Sequence, residues 1–106
     1  MAHFILEYSA NLSQDEMRVE RLFELLHECA INSGIFPAAG IRSRAIAYDQ
    51  FRVADGDPEL CFVNLSVRVG AGRSVEVRKQ IGEQLFKVLT EHLQAVYEKR
   101  YIGISF

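Results

Sequence analysis

The sequence predicts an α/β (α+β) fold in which two β-α-β units share one four-stranded sheet, with two helices on one face. A strand-helix-strand order occurs twice, in halves at about residues 1–53 and 60–106. Ser13 and Ser74 hold the same place ahead of the two helices. Parallel strands joined by a helix cross over right-handed almost without exception, which puts both helices on the same side of a shared sheet. At 106 residues and 12.0 kDa the chain has room for one domain, residues 1–106.

Each element has a local reason. Phe4 to Tyr8 is a short apolar run of strand composition, closed by the turn formers Ser9, Ala10 and Asn11. Ser13 followed by Glu16 matches a capping box, in which hydroxyl and carboxylate satisfy backbone donors at a helix start. Leu22, Leu25, Leu26 and Cys29 then recur at three- and four-residue spacing, so a helix is expected from about Gln14 to Ser33, with Gly34 as its left-handed cap. Pro37 and Gly40 break the pattern before a second strand, Ile41 to Phe51. The stretch Ala54 to Glu59 is rich in turn formers and links the halves. Cys61, Val63, Leu65, Val67 and Val69 alternate with Phe62, Asn64, Ser66 and Arg68, the period of a strand with one buried face. Gly70 to Ser74 turns into a second helix capped by Ser74, whose apolar face runs through Val77, Ile81, Leu85, Val88, Leu89 and Val96. Tyr101 to Phe106 is the fourth strand. With both helices on one face the other is bare, and a bare sheet is costly in water, so a homo-oligomer is expected.

Composition removes several function classes. A net charge of −2 offers no overall attraction to a phosphate backbone or an anionic membrane, so neither nucleic acid nor membrane is an expected partner. No apolar run approaches the roughly 20 residues of a membrane span and the N-terminus lacks signal-peptide regions, so a cytoplasmic location is expected. Cys29 and Cys61 sit among apolar residues and read as reduced core positions, while the N-x-S sequons at Asn11 and Asn64 carry no information without secretion. His3, His27 and His92 are scattered without metal-ligand spacing, so no metal is expected.

What chemistry remains lies in arginines. Gly70-Ala71-Gly72-Arg73-Ser74 is a weak phosphate-loop match, and its alternative reading is a β-to-α turn in which glycines supply unusual backbone angles. Arg73, at a strand end beside a helix start, would aim fixed positive charge at a bound anion. Arg42 and Arg44, two apart in a strand, project from one sheet face; they are either solvated surface charges or a pair suited to binding a carboxylate through the guanidinium fork.

The opening Ala2-His3-Phe4-Ile5-Leu6-Glu7, the stretch Gly34-Ile35-Phe36-Pro37 with Gly40-Ile41-Arg42-Ser43-Arg44, and Gly70-Ala71-Gly72-Arg73-Ser74 together resemble the 5-carboxymethyl-2-hydroxymuconate isomerases of the tautomerase superfamily. The resemblance runs over essentially the whole chain. It implies a tautomerase-like fold, a homotrimer, and a cofactor-free isomerase of aromatic catabolism that moves a proton in a small, anionic, carboxylated dienol arising from homoprotocatechuate. It also implies that the proton is shuttled by the amine of an N-terminal proline exposed by removal of the initiator methionine. This chain has Ala2 at that position. An α-amine has an ordinary pKa of about 7.7 to 8.0, so an exposed Ala2 amine remains chemically competent as a base. By resemblance Ala2, Arg42 and Arg73 are the catalytic positions, and Arg42, Arg44 and Arg73 bind substrate. In the first half Leu12 stands where Arg73 stands in the second, which implies one site per chain. The alternative is a catalytically weak relative that binds carboxylated ligands or only assembles.

Overall fold

The structure is a computed structural model that describes residues 2–106. Strand β1 (Ala2–Ser9) is followed by helices α1 (Gln14–Met17) and α2 (Val19–Asn32), a 3-10 turn (Ala38–Gly40) and strand β2 (Ile41–Tyr48). The second half runs β3 (Cys61–Val69), α3 (Val75–His92), α4 (Gln94–Lys99) and β4 (Ile102–Ser105). The strands form one sheet in the order β2-β1-β3-β4. β1 and β2 are parallel, β3 and β4 are parallel, and the central pair β1 and β3 is antiparallel.

Alternation in the strands decides which face is covered. Ala2, Phe4 and Leu6 of β1 and Cys61, Val63 and Leu65 of β3 are buried, and they join Leu22 and Leu26 of α2 with Ile81, Leu85 and Leu89 of α3 in one core. His3, Ile5, Glu7, Arg42, Arg44, Asn64, Ser66 and Arg68 alternate with these and lie on the opposite, uncovered face. The two serine caps form as expected. Glu16 N donates to Ser13 Oγ at 3.0 Å while Ser13 N donates to the Glu16 carboxylate at 3.0 Å, and Val77 N donates to Ser74 Oγ at 3.1 Å. Gly34 takes φ +72° just past the end of α2, the backbone region a glycine reaches without Cβ strain.

The helices depart from the expected limits. The helix expected over Gln14 to Ser33 is broken at Arg18, whose φ of 42° and ψ of 57° are left-handed. The second helix likewise stops at His92 and restarts at Gln94, so Val96 lies on α4. The two breaks clasp each other: Arg18 Nη2 donates to the His92 carbonyl at 2.8 Å, and His92 Nε2 donates to the Met17 carbonyl at 2.8 Å. Both partners are carbonyls at helix ends, where intrahelical donors run out. β1 is longer than expected at both ends. β2 stops at Tyr48 rather than Phe51, and β4 is confined to Ile102–Ser105.

Candidate active site

Register brings the singled-out residues to one end of the sheet. Ala2 opens β1 and is paired with Ile41 at the start of β2 and with Val69 at the end of β3. Arg42 follows Ile41, and the loop that carries Arg73 follows Val69, so Ala2, Arg42 and Arg73 converge on the same edge. The Ala2 side chain is fully buried toward the helices. Met1 lies outside the described residues, and with it the expectation about its removal.

The arginines are held differently. The Arg73 guanidinium lies 4.8 Å over the Phe36 ring, donates to the Gly70 carbonyl at 3.2 Å and reaches the Ile35 carbonyl at 3.4 Å. Cation-π stacking and carbonyl acceptors fix this fork in place, which suits an anion site because little side-chain freedom is left to lose. Gly72, at φ +104°, lets the loop turn back toward Phe36, and the β-to-α turn reading of Gly70 to Ser74 describes what is built. Leu12, the counterpart of Arg73 in the first half, is buried in the core.

Arg42 and Arg44 project from the same uncovered face, as their spacing requires. Arg44 Nη1 donates to His3 Nδ1 at 3.1 Å. A guanidinium only donates, so Nδ1 is the acceptor and the ring proton of His3 is placed on Nε2. Arg42 makes no side-chain hydrogen bond or ion pair among the described residues.

A groove of about 790 Å³ runs between α2 and the edge strand β2, bordered by Phe23, His27, Arg42, Ser43 and Arg44 with Glu20 and Glu24 at its rim. His27 Nε2 lies 2.6 Å from Ser43 Oγ and its ring stands edge-on to Phe4, 5.8 Å between centroids. His27 gives no signal in the sequence beyond a histidine on a helix; only the packing of α2 against β2 brings it beside Arg42. Ala2 and Arg73 do not border this groove. Among the described residues no cluster of three or more His, Cys, Asp or Glu side chains could hold a metal ion, and no helix is long and apolar enough to cross a membrane. Both cysteines are free; burial pushes the thiols of Cys29 and Cys61 above the ordinary range, which leaves them protonated and poorly nucleophilic.

Similarity to known proteins extends over the whole chain. The family model of 5-carboxymethyl-2-hydroxymuconate isomerase matches residues 2–106. The 5-carboxymethyl-2-hydroxymuconate Delta-isomerase of Escherichia coli is 41% identical over 106 residues, which is 100% of this chain and 83% of that protein. The crystal structure of a 5-carboxymethyl-2-hydroxymuconate isomerase from Deinococcus radiodurans R1 superposes with a TM-score of 0.90 at 37% identity, covering 99% of this chain and 82% of that one. At 18% identity and a TM-score of 0.68, over 96% of this chain and 82% of the other, a fused 4-OT symmetric trimer shares the fold. The chain therefore belongs to the 5-carboxymethyl-2-hydroxymuconate isomerase family.

Proposed function

We propose that this chain is the catalytic subunit of a cofactor-free isomerase that moves a proton in 5-carboxymethyl-2-hydroxymuconate or a close carboxylated dienol. The observation that carries this reading is the convergence of Ala2, Arg42 and Arg73 at one end of the sheet in a member of this family. Removal of Met1 leaves the Ala2 nitrogen as a free amine. In its neutral form that amine takes the hydroxyl proton of the dienol, leaving a dienolate, and returns it to a carbon of the conjugated system. Arg73, braced on Phe36, and Arg42 neutralise the charge that develops on the dienolate oxygen. Arg44, oriented by His3, takes a carboxylate. The subunit works in a cytoplasmic homotrimer.

The test is Arg42→Ala and Arg73→Ala, with Arg73→Lys to keep the charge while losing the planar fork. Each alanine variant should lose about 2 to 4 kcal/mol of transition-state stabilisation in kcat/KM, the usual size for removing one such donor. Arg73→Lys should recover only part. Full kcat/KM in both alanine variants would make these arginines ordinary surface charges.

A second reading has its own observation, which is alanine in place of the proline that the resemblance implies. If Met1 stays on the mature protein, the Ala2 nitrogen is an amide and no base, and the chain is then a carboxylate-binding or purely structural relative. Intact mass of the purified protein decides between them.

A further inference from the structure

We propose that His3 is a further catalytic residue, whose Nε2–H donates a hydrogen bond to the substrate oxygen on which the dienolate charge develops. The inference rests on the reading of the chain as an isomerase of this substrate class.

Register and hydrogen bonding place the ring. His3 is half-buried on the uncovered face, between its direct cross-strand partners Arg42 of β2 and Arg68 of β3. It follows Ala2, so the ring is carried one residue from the nitrogen that takes the proton, about 3.8 Å from Cα to Cα. Although paired with Arg42, His3 hydrogen-bonds diagonally to Arg44, whose Nη1 donates to Nδ1 at 3.1 Å. A guanidinium has no lone pair to offer, so this contact reserves Nδ1 as an acceptor and leaves the ring proton on Nε2. A partner on one ring nitrogen fixes the tautomer and the direction in which the other nitrogen acts. Nε2–H has no acceptor of its own among the described residues. Glu7, the carboxylate on the same strand and face, lies four residues along, roughly 13 Å away, and accepts from the Tyr48 hydroxyl.

The reaction supplies the missing acceptor. When the amine removes the hydroxyl proton of the dienol, the oxygen on C2 becomes negatively charged. When the proton is returned to carbon, the same oxygen ends as a carbonyl. It is a stronger acceptor in the transition state than in the dienol, so a donor aimed at it binds the transition state better than the substrate. That is the condition for raising kcat rather than merely lowering KM. Arg42 brings positive charge to this oxygen, and the neighbouring His3 adds an N–H whose direction Arg44 has already set. His3 keeps its proton throughout, and the transfer remains one from oxygen to carbon through the amine.

The experiment measures kcat and KM on 5-carboxymethyl-2-hydroxymuconate, with Met1 processing matched by intact mass. His3→Phe keeps a ring without donor or acceptor, and His3→Gln keeps both. Arg44→Ala is made alone and together with His3→Phe. His3→Phe should lower kcat about 100-fold, as for one lost oxyanion donor, with KM within about threefold. His3→Gln should run about tenfold faster than His3→Phe. Arg44→Ala should instead raise KM about tenfold, and adding His3→Phe to it should still lower kcat about tenfold or more. A full kcat in His3→Phe, or a glutamine variant as slow as the phenylalanine one, would overturn the assignment. So would a loss that vanishes once Arg44 is alanine, because His3 would then serve only to place Arg44. Calorimetric binding of 2-oxoadipate and adipate keeps the question separate from turnover, since the two share both carboxylates and differ only in the oxygen on C2. His3→Phe should weaken 2-oxoadipate about tenfold and leave adipate unchanged. Equal changes in both ligands, including none, refute the donor role. An inactive wild type that shows the expected difference refutes the isomerase reading alone.

Discussion

At Ala2 the side chain and the backbone nitrogen serve different ends. The methyl group is buried in the core between Ile41 and Val69, while the nitrogen is the atom on which the proposed proton transfer turns. Replacing alanine with proline converts a primary amine into a secondary one and fixes φ near −65°, so less freedom is lost on reaching a reactive geometry. Holding one residue in a single backbone well costs roughly 1 to 2 kcal/mol, so Ala2→Pro should raise kcat/KM about tenfold. The comparison needs intact mass on both proteins, because the gain exists only where Met1 has been removed. If two fully processed proteins run at the same rate, the amine is not the base. At this scale some roles are legible in single residues and others are not. Ser13 and Ser74 declare themselves as caps through short-range spacing, and Arg42 and Arg44 share a face because strands alternate. Arg68 and His27 do not stand out, since what they can do is set by neighbours more than fifteen positions away on other elements.

The helices show where local pattern stops being decisive. Arginine is a good helix former, and nothing at Arg18 marks a break. The left-handed turn there is held by contacts 74 and 75 residues distant, Arg18 to the His92 carbonyl and the His92 ring to the Met17 carbonyl. Apolar spacing continues through both interruptions, which is why periodicity alone runs each pair of helices together. The clasp also predicts a pH dependence. Burial, the largest cause, lowers the pKa of His92 below its ordinary 6.5, with the Met17 contact opposing it. The folded state then binds fewer protons than the unfolded one below about pH 6.5, so this contribution is intact above that pH and is lost as pH falls. The melting temperature should fall between pH 7 and 5, and His92→Gln, which keeps a donor for the Met17 carbonyl, should flatten that fall. Glu16 acts in a separate window. Its carboxylate is stabilised first by the Ser13 backbone N–H and then by Arg100, so its contribution is lost only below its ordinary 4.5. An unchanged profile in His92→Gln would show that the clasp does not titrate.

Across the whole molecule, the uncovered sheet face has two chemically different ends. Near Ala2 it presents Arg42, Arg44 and Arg68 around His3. Toward the other end lie Ile46, Tyr48, Phe51 and Phe62, with Phe62 centred 6.5 Å from Tyr48 and 6.1 Å from Phe51. The bare face itself was legible from counting helices against strands, but this division was not, because it arises only when three strands are set in register. It dictates how copies of the chain can meet. Burying unpaired guanidiniums against those of another copy would leave like charges desolvated, a cost that apolar contacts do not offset. Burying Ile46, which is 52% exposed, and Phe51, which is 37% exposed, removes apolar surface from water at about 25 cal/mol per Å². The proposed trimer should therefore close through the aromatic end and leave the arginine end open to substrate. Phe62→Asp should dissociate it to monomers at micromolar concentration, whereas Arg42→Ala should leave the trimer intact. Sedimentation velocity on the wild type and both variants reads this directly. A monomeric wild type would remove the assembly altogether, and a trimer broken by Arg42→Ala but not by Phe62→Asp would place the contact at the opposite end of the sheet.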